Sequence, residues 1–211
     1  MERKNYSALK LKIMRILITI LFFLIITIGA YGSENTNRII ILVNDNVITE
    51  YDIEQRAKIF AIINQVQITP ENSANITSQI IDDLIDSHLK TEKIQEYDLN
   101  IDSSDLNSYE NRYFRSLGID KNHIFELMEI NEVDRDELYN MLYNELAWQI
   151  LISRLYYRIT SVSDEEIEEL INNDPEISNK LAEQIIMDKQ LSLRSNKMLR
   201  DLRDEATIEY R

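Results

Sequence analysis

The chain has 211 residues, 23 basic and 37 acidic side chains and a formal charge of −14, a balance that disfavours nucleic acid, whose phosphates need a positive surface. It contains no cysteine, which excludes disulfides, thiolate metal sites and cysteine nucleophiles. Gly118 is the only glycine beyond residue 32, so no glycine-rich phosphate loop, EF-hand loop or nucleophile elbow can be built there.

Arg3, Lys4, Lys10, Lys12 and Arg15 precede an apolar run from Ile16 to Ile28, and Ala30-Tyr31-Gly32 places small residues before Ser33. This is the pattern of a secretory signal peptide over 1–32. The run of 13 residues is shorter than the ~20 that span a bilayer comfortably. An uncleaved anchor is the alternative, and would be the chain's one membrane contact. Cleavage before Ser33 would leave 18 basic and 36 acidic side chains, a formal charge of −18.

Residues 38–43 are rich in β-branched side chains and read as a short strand. Asn44-Asp45-Asn46 is a turn, and Val47-Ile48 resume extended backbone. Thr49 and Asp52 have capping-box spacing for a helix to about Gln65. Thr69-Pro70-Glu71 reads as a helix start, with a separate polar turn to about Ser78 as the alternative. From Ile76 to Glu96 the apolar period is helical. Asp102 or Ser103 caps the next helix, which Gly118 ends. A short helix is expected from Lys121 to Glu129, and a long one from Asp134 to about Tyr157. Ser163 and Glu166 form a second capping box, for a helix to about Asn172. After Asn173-Asp174-Pro175, a last helix is expected from Glu176 to Asp204, with Ile177, Leu181, Ile185, Leu199 and Leu202 inward. Ala206 to Tyr210 alternates and reads as a second strand. Two lone strands at opposite ends of a helical chain would satisfy one another by pairing; a frayed tail is the alternative.

No constellation for catalysis emerges. His88 and Glu92 form an i, i+4 pair on one helix face, with His88 a solvated or half-buried helical histidine rather than part of a metal-ligand set. The acids from Asp164 to Glu169 lie where a helix N-terminus stabilises negative charge. The expectation is a non-enzyme with no metal and no cofactor. What remains is apolar and aromatic surface. Tyr109, Tyr113, Phe114, Met128, Met141, Trp148, Tyr156 and Tyr157 have helical spacings that mostly mean core. Tyr156 and Tyr157, however, are adjacent and cannot share one core, so part of this set must meet an edge or groove. Methionines and aromatics suit varied apolar partners.

The stretch ILVNDNVITEYDIEQR, from Ile41 to Arg56, resembles the opening of the SurA-like periplasmic chaperones, with a strand ending in Val-Asn, a short turn, Val-Ile and a capped acidic helix start. QIIDDLIDSHLKTEKIQEYDLNIDSSDLNSYENRY and ELMEINEVDRDELYNMLYNELAWQILISR are similar to the stretches that follow in that family. ITSVSDEEIEELI resembles the point where its isomerase modules begin. The resemblance covers about Ile39 to Ile171 and, more weakly, Lys189 to Arg211. It departs from the family after Ile171, where 40 residues are too few for a parvulin module. The resemblance implies a mainly α fold, a multi-helix chaperone core with a small β pairing between the first and last strands. It implies a helical chaperone domain over 33–172, and a helix and strand over 173–211 packed back on it. It further implies an ATP-independent holdase in the periplasm of a Gram-negative bacterium. Its partners would be unfolded outer-membrane proteins or other nonpolar segments, with no nucleic acid and no nucleotide. Tyr109, Tyr113, Phe114, Met128, Met141, Trp148 and Tyr156 are the expected peptide-binding residues. Other readings are a prolyl isomerase relative with residual or no activity, and an envelope scaffold with one fixed partner.

Overall fold

The computed structural model describes residues 38–211; the expected signal segment lies outside them. Among these residues three strands and seven helices follow one another. β1 (Ile39–Val43) and β2 (Asn46–Thr49) precede α1 (Glu50–Asn64), α2 (Ser73–Gln95), α3 (Ser103–Leu117) and α4 (Lys121–Ile130). α5 (Arg135–Tyr156) runs into a 3-10 turn (Tyr157–Ile159). α6 (Asp164–Asn173), α7 (Asn179–Glu205) and β3 (Ile208–Tyr210) complete the chain. None of these helices is long and apolar enough to cross a membrane.

The fold is mainly helical, and the first and last strands pair. The sheet order is β2-β1-β3. β3 lies antiparallel to β1, with Ile41 opposite Tyr210 and Val43 opposite Ile208. The Arg211 N–H donates to the Ile40 carbonyl at 2.8 Å, and the Asn44 N–H to the Thr207 carbonyl at 2.9 Å. The first strand has a second partner that the sequence reading missed. Val47 and Ile48 belong to β2, which folds back on β1 as a hairpin, with Val43 opposite Asn46. Asn44 takes the left-handed conformation at φ 52°, which asparagine tolerates better than most residues.

The helix caps follow their local chemistry. The Thr49 hydroxyl accepts from the Asp52 N–H, and Asp52 accepts from the Thr49 N–H at 2.7 Å. Ser163 and Glu166 close the same box on α6. Gly118 ends α3 at φ 65°. Of the two readings of the segment at Thr69-Pro70-Glu71, the separate turn holds: the Thr69 carbonyl accepts from the Asn72 and Ser73 N–H groups, and α2 begins at Ser73. The last helix starts later than expected. α7 begins at Asn179, because the Ser178 hydroxyl accepts from the Leu181 N–H at 3.3 Å.

Three apolar clusters hold the helices together. The first joins Ile41, Val43 and Ile48 of the sheet to Ile76, Ile80, Leu84, Ile85 and Leu89 of α2. The second gathers Ile59 and Ile62 of α1, Phe114 of α3, Ile124 and Met128 of α4, and Leu138 and Leu142 of α5. The third sets Ile94 against Ala147, Trp148, Leu151 and Ile152 of α5. α1 serves two clusters, turning Ile53, Ala57 and Phe60 to the first and Ile59, Ile62 and Ile63 to the second. Leu199 and Leu202 of α7 pack against both the first and the third. The inward face of α7's first half is Ala182 and Ile186. Leu181 and Ile185, expected inward, are exposed.

Gln55 is a buried polar side chain, 3 % exposed. Its amide N–H donates to the Glu132 carbonyl at 3.3 Å and its carbonyl accepts from the Asp134 N–H at 3.0 Å. It therefore anchors the α4–α5 connection on α1 without leaving either function unpaired.

Candidate functional site

A trough opens where α1, α2, α3 and α5 converge. It comprises two hollows of about 180 and 340 Å³ that share Arg56, Asp83, Tyr113 and Met141 as walls. Helical spacing explains the lining. Arg56, Phe60 and Ile63 lie on one face of α1, Asp83, Ser87 and Lys90 on one face of α2, and Tyr109 and Tyr113 four residues apart on α3. Met141 and Glu145 repeat that spacing on α5.

The two ends differ in chemistry. The larger hollow is mostly apolar, with Ile59, Phe60, Ile63, Ile80, Tyr113 and Met141 on its walls. The smaller is charged, with Asp83, Ser87, Lys90, Asn144 and Glu145 beside Tyr109. An Arg56–Asp83 ion pair at 2.6 Å stands between them. Arg56 is largely buried, its side chain 12 % exposed, while Asp83 is mostly open to solvent. Lys90 pairs with Glu145 at 2.9 Å and lies 5.8 Å from the Trp148 ring centre. Burial raises the phenols of Tyr109 and Tyr113 above their usual range, and the Tyr109 oxygen accepts from the Gln149 side-chain amide at 3.5 Å. Tyr113 is braced from behind by an edge contact with Phe114, ring centres 5.7 Å apart.

Three of the seven expected peptide-binding residues, Tyr109, Tyr113 and Met141, line this trough together. The others lie elsewhere. Phe114 and Met128, 4 % and 1 % exposed, are closed inside the second cluster. Trp148 is 2 % exposed and donates its indole N–H to the Ser195 hydroxyl at 2.8 Å, beneath a separate hollow between α5 and α7. Tyr156 packs on the third cluster, with the Arg194 guanidinium 5.4 Å from its ring centre. Arg56, Phe60, Asp83 and Lys90 were missed as lining. The stripe Asp83, Ser87, Lys90 was visible as helical spacing, but nothing in one sequence tells which helix faces it.

His88 and Glu92 form no metal site. The Glu92 carboxylate accepts from the Asn44 side chain at 2.8 Å and from the Asn46 side chain at 2.5 Å, pinning the β1–β2 turn to α2. Among the described residues no group of three or more histidines, cysteines or acids could hold a metal ion.

Residues 1–152 match the description SurA-like N-terminal domain. The chain belongs to this family. The SurA-like N-terminal domain is a non-catalytic chaperone module, and its known members are periplasmic. The match ends within α5, so α6, α7 and β3 lie beyond it although α7 and β3 pack on the SurA-like part. No curated protein matches the chain.

Proposed function

We propose that this SurA-like chain is an ATP-independent holdase that binds unfolded outer-membrane proteins in the periplasm. The observation that carries the proposal is the trough, an open, largely apolar depression with charged side chains gathered toward one end, in a chain of a chaperone-domain family. An extended client would set nonpolar side chains against Phe60, Ile63, Tyr113 and Met141. Its backbone groups would meet the Arg56, Lys90, Asn144 and Glu145 side chains. Binding of this kind occupies strand edges that would otherwise pair with one another. Phe114 and Met128 support the wall from within, and Trp148 and Tyr156 have no place in it.

The test is light scattering of a denatured outer-membrane barrel protein diluted with and without the full chain. Suppressed aggregation without nucleotide is expected, and the Tyr113→Ala, Met141→Ala double variant should suppress it less. Unchanged aggregation with the wild-type chain would overturn the reading. Clear turnover in a proline-peptide isomerisation assay would favour an isomerase instead, and selective binding of one protein with no affinity for varied unfolded clients would favour a scaffold.

A further inference from the structure

α6 is a helix without a buried residue. It packs on α7, and the surface the two share stays open. From Ser163 to Ser178 the chain carries seven acids, Asp164, Glu165, Glu166, Glu168, Glu169, Asp174 and Glu176, and no base. All seven are exposed. None of them forms an ion pair among the described residues, where twelve such pairs link other side chains. Beneath this acidic ridge runs a groove of about 430 Å³ with Leu170, Ile185, Ile186 and Leu193 on its walls and Glu166 and Glu169 at its rim. Lys189 is the one cation on its walls. Leu193 is 60 % exposed and Leu181, on the same helix, 46 %. Large apolar side chains so exposed beside unpaired charge of a single sign are the composition of a docking surface: an apolar floor that gains from burial and a rim that selects the partner by charge.

We propose that the α6–α7 groove docks a basic amphipathic segment of a partner protein. Its apolar side chains would rest on Leu170, Ile185 and Leu193, and its lysines or arginines would face the acids of α6. Charge decides among the occupants. A second copy would bring the same acidic ridge and add repulsion. An anionic lipid surface would be repelled likewise. A cationic partner sets opposite charge against Glu166 and Glu169 at the rim and covers Ile185 and Leu193 in one step. This site lies apart from the trough and does not depend on the holdase reading.

The experiment is fluorescence anisotropy with two short labelled amphipathic peptides, one of leucine and lysine and the other of leucine and glutamate, titrated with the full chain. The lysine peptide should bind and the glutamate peptide should not. Leu193→Asp should weaken the lysine peptide by about tenfold or more. Because Leu193 is mostly exposed, that variant should keep its helical circular dichroism. Glu165→Gln with Glu169→Gln should weaken binding and flatten its dependence on salt; both acids lie outside the Ser163–Glu166 capping box. Equal binding of the two peptides, or a Leu193→Asp variant that binds like wild type, would overturn the proposal. So would binding that Tyr113→Ala abolishes, which would place the peptide in the trough. A wild-type dimer that Leu193→Asp splits without altering peptide binding would assign the groove to a second copy and likewise overturn it.

Discussion

Asn44 links three parts of the molecule through one side chain. Its backbone makes the β1–β2 turn at φ 52°, its amide N–H group reaches Glu92 of α2, and its amide oxygen accepts from the Thr207 N–H at 2.9 Å. Asn44→Asp keeps that acceptor but sets a carboxylate against Glu92. The expected loss is about 1 kcal/mol, larger at low salt, read from urea denaturation at two ionic strengths. His88 sets a pH dependence. Burial lowers its imidazole below the usual 6.5, against the pull of Asp52 and Glu92 and with the help of Arg56. The folded state therefore holds the neutral ring. Its contribution is fully present above pH 6.5 and is lost as pH falls below that value, where the unfolded chain takes up the proton first. His88→Gln should remove part of the stability loss between neutral and mildly acidic pH. A denaturation midpoint whose pH dependence is identical in the two proteins would contradict this. Glu137 acts in the opposite sense, since burial and Asp52 raise its carboxyl above 4.5 and its share fades as pH rises.

Among the elements, α3 shows how one helix divides structure from function. Phe114 is enclosed in the second cluster, while the adjacent Tyr113 packs against that cluster at its edge and also lines the trough. Phe114→Ala should cost ~3–5 kcal/mol, as buried aromatic truncations do. Tyr113→Ala should cost much less stability yet weaken client holding. Thermal melts and aggregation assays on both variants separate the two effects, and equal losses of fold would make Tyr113 a core residue. Much of this level was legible in the sequence, because caps and breaks act over a few residues: Thr49 with Asp52, Ser163 with Glu166 and Gly118 stand where local rules put them. The hairpin partner β2 was not legible, since four residues running into a helix leave too short an alternation. Leu199 and Leu202 of α7 turn inward as expected, but the face of its first half was missed because the pattern favours large side chains, whereas Ala182, fully buried, admits a close neighbour. At the trough, Tyr109, Tyr113 and Met141 were recognisable as adaptable apolar residues. Arg56 and Asp83 were not, because an ion pair between two helices has no signature in either helix alone. Phe114, Met128 and Trp148 share the chemistry of groove residues, and only packing shows them to be enclosed.

The molecule as a whole depends on contacts between its far ends. Residues 38–211 form one compact unit, and β3 closes it by covering the free edge of β1. Arg203 adds to the closure, its guanidinium reaching the Asp82 carbonyl at 2.8 Å and the Asp86 carboxylate of α2. Removing the residues after Ala206 should lower the melting temperature by about 2–4 °C for each kcal/mol lost in a chain of this size. It should also promote self-association through the bared β1 edge. Melting curves and light scattering at several concentrations would test this, and a shortened chain that melts like wild type and stays monodisperse would show the clasp to be idle. The geometry of that clasp has a mechanical consequence. Residue 38 and Arg211 leave the β1–β3 ladder at the same end, where Arg211 bonds to Ile40. Tension applied between them loads the hydrogen bonds one after another rather than together. In an optical trap, β3 should peel away at low force as a first, reversible step, while the helices hold until a second and larger rip.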